Sequence, residues 1–150
     1  MNLILLAEDS HEDEKLFKRV MRAGRLENPL MVVRNGAEAI AYLGGEGPFA
    51  ERDLYPAPDI LFLDLKMPQV SGFEVLEWLR GRTGLKQKLL VIVLSNFGDT
   101  QAITRAYRLG ADSFLSKPIK RQDFLNLVQH FPGRWLSLPL EPAGASAGVN

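Results

Sequence analysis

The 150-residue chain has the length of one ordinary domain, and its 18 basic residues balance its 18 acidic ones. This balance argues against a strongly basic nucleic-acid-binding protein. The absence of cysteine excludes disulfide scaffolds, cysteine-ligated zinc or iron–sulfur sites and cysteine nucleophiles. With 46% hydrophobic and 24% charged residues, the chain has the composition of a globular domain.

The amino-terminal apolar run is not expected to act as a targeting signal. It ends at Glu8 after five residues and has no basic region before it, unlike a signal peptide. No stretch of the sequence approaches the roughly 18 apolar residues that a membrane helix needs. We therefore expect a cytoplasmic protein that does not contact a membrane.

Five short apolar runs predict β-strands. The first, third and fourth runs are apolar at successive positions, which is typical of parallel strands buried on both faces. The runs begin roughly 24 to 30 residues apart, which leaves room for one crossover helix in each interval. In chain order the predicted strands are Leu3–Ala7, Leu30–Val33, Ile60–Leu63, Leu89–Leu94 and Ser113–Leu115.

Five helices are predicted from apolar residues at helical spacing and from glycine or proline at their ends. In chain order they run from after Ser10 to Gly24, from about Gly36 to Leu43, from near Phe73 to Gly81, from Asp99-Thr100 to Gly110, and through Phe124 to before Pro132. The fourth is expected to turn Ile103, Ala106, Tyr107 and Leu109 inward. The strict alternation of strand and helix predicts an α/β fold with an open, doubly wound parallel sheet.

Two segments lie outside this alternation. One is the long Gly- and Pro-rich connection of residues 44–58 before the third strand, and the other is a Pro-rich tail of residues 132–150. The tail carries apolar residues, Trp135, Leu136, Leu138 and Leu140. These either pack on the domain or form a dimerising or partner-binding arm. Both interpretations remain open at this point.

The residues that follow the predicted strands are the candidates for a binding site, because ligands of doubly wound sheets bind at the carboxyl ends of the strands. The second strand ends in Arg34-Asn35, which offers no obvious chemistry. The other four strands are followed by polar groups, namely Glu8-Asp9, Asp64, Ser95 and Lys117-Pro118. Three carboxylates, a hydroxyl and an ammonium are therefore expected in one cleft.

This set of groups favours phosphoryl chemistry. A hard divalent cation would offset the repulsion between the carboxylates, and Mg²⁺ is the cation that these oxygen ligands favour. Asp64 is then a candidate nucleophile, since aspartate forms acyl phosphates. Lys117 and Ser95 could stabilise the phosphoryl oxygens. Glu12 and Asp13 could flank the acidic pocket, although the preference of helix N-termini for acidic residues accounts for both.

The sequence at the strand ends resembles the receiver domain of two-component response regulators. The resemblance covers roughly residues 1–131 and rests on four segments, LLAEDS at 5–10, LFLDLKMPQVSG at 61–72, VIVLS at 91–95 and GADSFLSKP at 110–118. The long connection before the third strand and the tryptophan-containing tail resemble the phytochrome-associated (Rcp-type) subfamily. The resemblance implies a flavodoxin-like receiver fold with five helices and strand order 2-1-3-4-5.

The same resemblance implies roles in phosphoryl transfer. Asp64 is the implied phosphoacceptor and Lys117 the partner of the phosphoryl group. Mg²⁺ would be held by Asp9, Asp64 and the backbone carbonyl of Lys66. Glu8, which stands where aspartate is commoner, would act mainly through a water ligand of the ion.

Further roles concern switching and access. Ser95 and Phe114 are the implied switch pair, with an ordinary core role as the alternative for Phe114. The Lys117–Pro118 bond is expected to be cis. Lys66 and Phe97 stand at positions that tune the access of hydrolytic water, which predicts slow loss of phosphate.

The resemblance implies a phosphorylation-dependent switch rather than a turnover enzyme. We expect a sensor histidine kinase as partner, such as a bacteriophytochrome. The 19-residue tail is too short for a DNA-binding output domain, so the output is expected from contact with another protein or a second copy, through the fourth and fifth helices or the tail. The alternative is a receiver-like binding module that no longer signals by phosphorylation. A phosphatase of the haloacid-dehalogenase type is disfavoured, because lysine stands two residues after Asp64 where a second aspartate is needed.

Overall fold

The computed structural model describes residues 2–137, which form five β-strands and six α-helices. The strands are β1 (Ile4–Ala7), β2 (Leu30–Val33), β3 (Ile60–Asp64), β4 (Leu90–Asn96) and β5 (Ser113–Lys117). The helices are α1 (His11–Ala23), α2 (Gly36–Gly44), α3 (Gly72–Arg80), α4 (Thr83–Lys88), α5 (Thr100–Arg108) and α6 (Arg121–His130). Within these described residues, no helix is both long enough and apolar enough to cross a membrane.

All five strands are parallel and lie in the order β2-β1-β3-β4-β5. The register places Ala7 beside Leu63 and Asp64 beside Leu94. On the outer side of β4, Asn96 lies beside Lys117. The predicted doubly wound sheet is therefore confirmed, and the ends of four of its strands share one edge.

The sheet separates two hydrophobic cores, because successive side chains of a strand point to opposite faces. Leu5 and Leu61 pack with side chains of α2, α3 and α5 on one face. Leu6 and Phe62 pack with side chains of α1 and α6 on the other face. Every residue of β1 and β3 is buried, as their continuous apolar sequence predicted. Full burial of each large apolar side chain stabilises the fold by about 1.5–3 kcal/mol.

Side-chain caps fix the starts of α1 and α3, the helices that follow β1 and β3. The Ser10 hydroxyl accepts a hydrogen bond from the Asp13 amide at 3.2 Å and begins α1. At α3, the Ser71 hydroxyl accepts from the Glu74 amide at 3.3 Å, and the Glu74 carboxylate accepts from the Ser71 amide at 2.7 Å. The helix α1 begins four residues after the end of β1, and α3 begins eight residues after the end of β3.

Two helical features differ from the sequence-based expectations. The helix α4 was not predicted, because its six residues have no apolar stripe and bury no side chain. The predicted fourth and fifth helices are consequently α5 and α6. Tyr107 of α5 was predicted to face inward, which is wrong, since it is 44% exposed. Its ring lies edge-on to Phe114 on β5, the edge strand, beyond which the sheet offers no further surface to cover it.

The long connection before β3 is held by its own packing. It contains one 3₁₀ turn, at Gly47–Phe49. The Arg52 guanidinium donates to the carbonyl oxygens of Tyr42 at 2.8 Å and of Tyr55 at 3.0 Å. The rings of these two tyrosines pack edge-on, with centroids 6.1 Å apart. The connection is therefore anchored to the end of α2 by an arginine and by aromatic contacts.

The first residues after α6 turn back onto the domain. The Trp135 ring lies 6.2 Å from that of Phe62 and 6.3 Å from that of Phe124. The buried Asn28 accepts from the Leu136 amide at 2.8 Å. The tail thus packs on the domain as far as residue 137, while the predicted apolar residues Leu138 and Leu140 lie outside the described residues.

Candidate functional site

Four strand ends meet at the carboxyl edge of the sheet and border a cavity of about 270 Å³. Strands β1, β3, β4 and β5 are contiguous and parallel, so the residues at their ends converge. The cavity is lined by most of the predicted site residues, namely Asp9, Asp64, Lys66, Ser95 and Lys117. The structure thus brings together side chains that lie more than 100 residues apart in the sequence.

Three carboxylates form an acidic cluster beside this cavity. Glu8, Asp9 and Asp64 each place one oxygen within 4.8 Å of the others. Glu8 is 1% exposed and Asp64 is 5% exposed, whereas Asp9 faces solvent. Closely spaced carboxylate oxygens are the donors that hard divalent cations prefer. The donor set therefore fits a divalent metal ion reached from the Asp9 side.

The Lys117 ammonium lies among the carboxylates. Its Nζ is 2.7 Å from Glu8 Oε1, 2.9 Å from Asp13 Oδ2 and 3.1 Å from Asp64 Oδ2. A lysine ammonium has three N–H donors, so each carboxylate can accept one of them. Lys117 is thus the positive charge that offsets the buried acidic groups at the end of β5.

The burial of these groups shifts their pKa values. Burial raises the pKa of Glu8 to about 7, the Asp64 charge acts in the same direction, and the hydrogen bond from Lys117 opposes them. For Lys117, burial lowers the pKa, but its hydrogen bonds to Glu8 and Asp13 and the charge of Asp64 outweigh burial. The pKa of Lys117 therefore lies above its usual range, and the side chain stays charged at neutral pH.

The Asp64 carboxylate is fixed on both oxygens. Oδ1 accepts from the Lys66 amide at 3.1 Å, and Oδ2 accepts from Lys117 Nζ. The backbone after Asp64 is held to the sheet, because the Leu65 amide donates to the Leu94 carbonyl at 3.1 Å. The Asp64 carboxylate, which lines the cavity, is thus held in a defined orientation.

The predicted switch residues lie on neighbouring strands. Ser95 is buried near the end of β4 and borders the Asp64 cavity. Phe114 is half-buried on β5, and its ring meets the Tyr107 ring edge-on with centroids 6.3 Å apart. Phe114 also borders a separate cavity of about 470 Å³ between β5 and α6. The peptide bond between Lys117 and Pro118 is cis.

The two access positions have different surroundings. Lys66 is 68% exposed, lines the Asp64 cavity, and places Nζ 4.0 Å from Asp99 Oδ2. Phe97 is 80% exposed and does not line that cavity. It borders a neighbouring cavity of about 410 Å³ together with Pro118. The structure therefore places Lys66, but not Phe97, against the space next to Asp64.

Two residues organise the site in ways that the sequence did not predict. Asp13 was expected at most to flank the acidic pocket, and it contacts Lys117. Arg34, for which the sequence predicted no obvious chemistry, forms an ion pair with Glu14 of α1 and donates to the Glu8 carbonyl at 3.4 Å. A basic residue after β2 opposite an acidic residue in α1 is the signal that could have indicated this pair.

Comparison with known proteins decides the family of this fold and site. Residues 4–129 match the response regulator receiver domain family. The chain belongs to this family. Response regulator Rcp1 from Synechocystis sp. is 30% identical to it over 141 residues, which is 94% of this chain and 93% of Rcp1.

Solved receiver structures show the same likeness. The bacteriophytochrome response regulator RtBRR is 33% identical, with a TM-score of 0.79 over 95% of this chain and 85% of its own. The Mn²⁺-bound form of Rcp1 has a TM-score of 0.70 over 85% of this chain and 89% of its own, at 30% identity. The phosphorylated cyanobacterial phytochrome response regulator RcpA has the same TM-score and identity, over 85% and 88% of the two chains. The predicted resemblance to phytochrome-associated response regulators is thus confirmed.

Proposed function

We propose that this receiver domain accepts a phosphoryl group on Asp64 from a phosphohistidine of a sensor kinase. The observation that carries the proposal is the contact of 3.1 Å between Lys117 Nζ and Asp64 Oδ2, two residues that line the cavity beside the acidic cluster. A carboxylate that is oriented by one cation and borders an open cavity is suited to receive a phosphoryl group. The phosphorylated state reported for RcpA supports the same chemistry in this chain.

The transfer step follows from the position of the Asp64 carboxylate. One carboxylate oxygen attacks the phosphorus, an O–P bond forms as the P–N bond breaks, and the electron pair of that bond returns to the imidazole. The released histidine takes a proton from water. Lys117 donates to a phosphoryl oxygen, and the Ser95 hydroxyl donates to another. Hydrolysis of the acyl phosphate later restores Asp64 and resets the domain. We propose that the domain acts in this way as a switch and not as a turnover enzyme.

We propose Mg²⁺ as the ion that the acidic cluster holds during this step. Asp9, Asp64 and the backbone carbonyl of Lys66 would bind it directly, with Glu8 as an additional acidic group. When bound, the ion supplies positive charge that offsets the charge of the phosphoryl oxygens. The Mn²⁺-bound form of Rcp1 supports a divalent ion here.

The effect of phosphorylation would be transmitted to the surface by movements of Ser95 and Phe114. As Ser95 moves toward the phosphoryl group, space opens behind it and the half-buried Phe114 ring turns inward. Phe114 carries no hydroxyl, so the inward state leaves no polar group without a partner. The move would release Tyr107, which now packs on the Phe114 ring, and so change the face formed by α5 and β5.

The similarity to RtBRR supports a phytochrome-type sensor kinase as the phosphoryl donor. We propose that residues 1–131 form the receiver, that residues 132–150 are an apolar tail, and that the protein acts in the cytoplasm through protein contacts without binding DNA directly.

Self-association through the α5–α6 face or the tail would use exposed apolar side chains such as Tyr107 and Leu136. Sedimentation at several concentrations tests this, with Tyr107→Ala and Leu136→Ala as probes. A mass that never changes contradicts self-association.

Phosphorylation itself is tested with acetyl phosphate and Mg²⁺ followed by intact-mass analysis. We expect the wild-type chain to gain one phosphoryl group and Asp64→Asn to gain none. No adduct on folded wild-type protein would support the binding-module alternative instead. Steady release of phosphate from many organic esters would support a phosphatase. Transfer from an autophosphorylated phytochrome-type kinase then tests the partner.

A further inference from the structure

Asp13 forms a contact with Lys117 that lies outside the acidic cluster. Its Oδ2 accepts a hydrogen bond from Lys117 Nζ at 2.9 Å. Asp13 lies in the first turn of α1, and its amide donates to the Ser10 hydroxyl, which fixes its position relative to β1. Of the three carboxylates that hold the ammonium, Asp13 is therefore the one that does not belong to the Glu8–Asp9–Asp64 cluster.

This difference matters when a divalent cation binds. Two carboxylates of the cluster, those of Glu8 and Asp64, also form ion pairs with the Lys117 ammonium. A dication on the cluster competes with Lys117 for these oxygens and repels its ammonium. Phosphoryl transfer nevertheless needs both positive charges near the phosphoryl oxygens. Some other negative group must hold the ammonium beside the ion.

We propose that Asp13 is a positioning residue that keeps the Lys117 ammonium beside the occupied cation site. The proposal rests on the function assigned to Asp64 above. Asp13 offsets the repulsion between Lys117 and the dication and leaves Glu8 and Asp64 free to turn toward the ion. Without its charge, Lys117 would depend on the cluster oxygens alone and would compete more strongly with the cation.

The neighbouring residue Glu12 provides a matched control. It lies in the same turn of α1, carries the same charge and is exposed. Unlike Asp13, it has no ion pair with Lys117, whose ion-pair partners among the described residues are Glu8, Asp13 and Asp64. Glu12→Gln therefore measures what the loss of one nearby negative charge does by itself.

The first test is a double-mutant cycle read by calorimetric titration of Mg²⁺. We expect Asp13→Asn to weaken Mg²⁺ binding several-fold more than Glu12→Gln does. In a Lys117→Gln background, Asp13→Asn should weaken binding no more than Glu12→Gln, because no ammonium remains to be positioned. Equal effects of Asp13→Asn in the two backgrounds would overturn the proposal. So would equal effects of Asp13→Asn and Glu12→Gln in the wild-type background.

The second test follows the rate of phosphorylation by acetyl phosphate as Mg²⁺ is varied. We expect Asp13→Asn to raise the Mg²⁺ concentration that gives half the maximal rate, and Asp13→Glu to restore part of the loss. A reduced maximal rate with an unchanged half-saturating Mg²⁺ concentration would overturn the positioning role. Lack of any adduct on the wild-type chain would refute the function of Asp64, whereas the calorimetric cycle would still test Asp13. Circular dichroism confirms that each variant is folded.

Discussion

Gly72, the first residue of α3, lies with its backbone against the carbonyl oxygen of Asp64. A Cβ placed on Gly72 would lie 2.5 Å from that oxygen and 2.7 Å from the Leu65 Cα. The Gly72 amide also donates to the Leu65 carbonyl at 3.1 Å. Glycine is therefore required here by the close approach of two backbone segments, one of which carries Asp64.

Gly72→Ala should destabilise the domain, because neither backbone segment can move away easily. We expect a loss of about 1–3 kcal/mol in the free energy of unfolding, measured by urea denaturation. Gly84→Ala is the matched control, since nothing lies within 4 Å of a Cβ at Gly84. In α4 this change should be neutral or stabilising by up to about 1 kcal/mol. Equal effects of the two substitutions would contradict the close approach.

Asn28 should prove to be the anchor of the C-terminal tail. Its side-chain amide donates to the carbonyls of Asn2 at 2.7 Å and Arg134 at 3.1 Å, and its oxygen accepts from the Leu136 amide. Asn28→Ala should cost about 1–3 kcal/mol, because it leaves buried polar groups without partners. The tail should also loosen, which faster hydrogen exchange of the Leu136 amide and a red-shifted Trp135 emission would report.

The control for this prediction is Asn126→Ala. Asn126 is exposed on α6, where it accepts one hydrogen bond from Gln122 at 2.9 Å. We expect a change within about 0.5 kcal/mol and unchanged tryptophan emission. An Asn28→Ala variant that unfolds at the same urea concentration as Asn126→Ala would show that the tail is held in another way.

Glu14 gives the fold a defined dependence on acid. The hydrogen bond from Lys18, followed by the contact with Arg34, lowers the pKa of Glu14 against the opposing effect of burial. Because the pKa is depressed in the folded state, the stabilisation is present above the ordinary pKa of glutamate and is lost as the pH falls through the depressed value. The difference in unfolding free energy between the wild type and Glu14→Gln should therefore be larger at neutral pH than well below about pH 4. A pH-independent difference would contradict this linkage.

The sequence predicted the parts of the fold and site that depend on local pattern. The continuous apolar runs predicted parallel strands, and the topology of such sheets then placed Asp64, Ser95 and Lys117 together. The prediction that Tyr107 of α5 faces inward was wrong, because helical spacing does not show where an edge strand stops covering a helix. The contact between Asp13 and Lys117 joins residues 104 positions apart through the reach of a long side chain. No local pattern encodes such a contact.

The different surroundings of Lys66 and Phe97 predict unequal effects on the lifetime of the phosphorylated state. Lys66 lines the Asp64 cavity, so its side chain can shield the phosphoryl group from water, whereas Phe97 borders the neighbouring cavity. Lys66→Ala should shorten the lifetime several-fold, and Phe97→Ala should shorten it less. The measurement is the decay of the phosphorylated mass after acetyl phosphate is removed in the presence of Mg²⁺.

Lys120→Ala separates shielding from a general loss of positive charge. Lys120 borders the cavity next to Phe97 and does not line the one at Asp64. Its removal should leave the lifetime close to that of the wild type, because a solvent-exposed charge at greater distance is screened. A similar shortening in Lys66→Ala and Lys120→Ala would show that net charge, not occupation of the Asp64 cavity, sets the rate. A wild-type lifetime no longer than those of Lys66→Ala and Phe97→Ala would refute the access role of both residues.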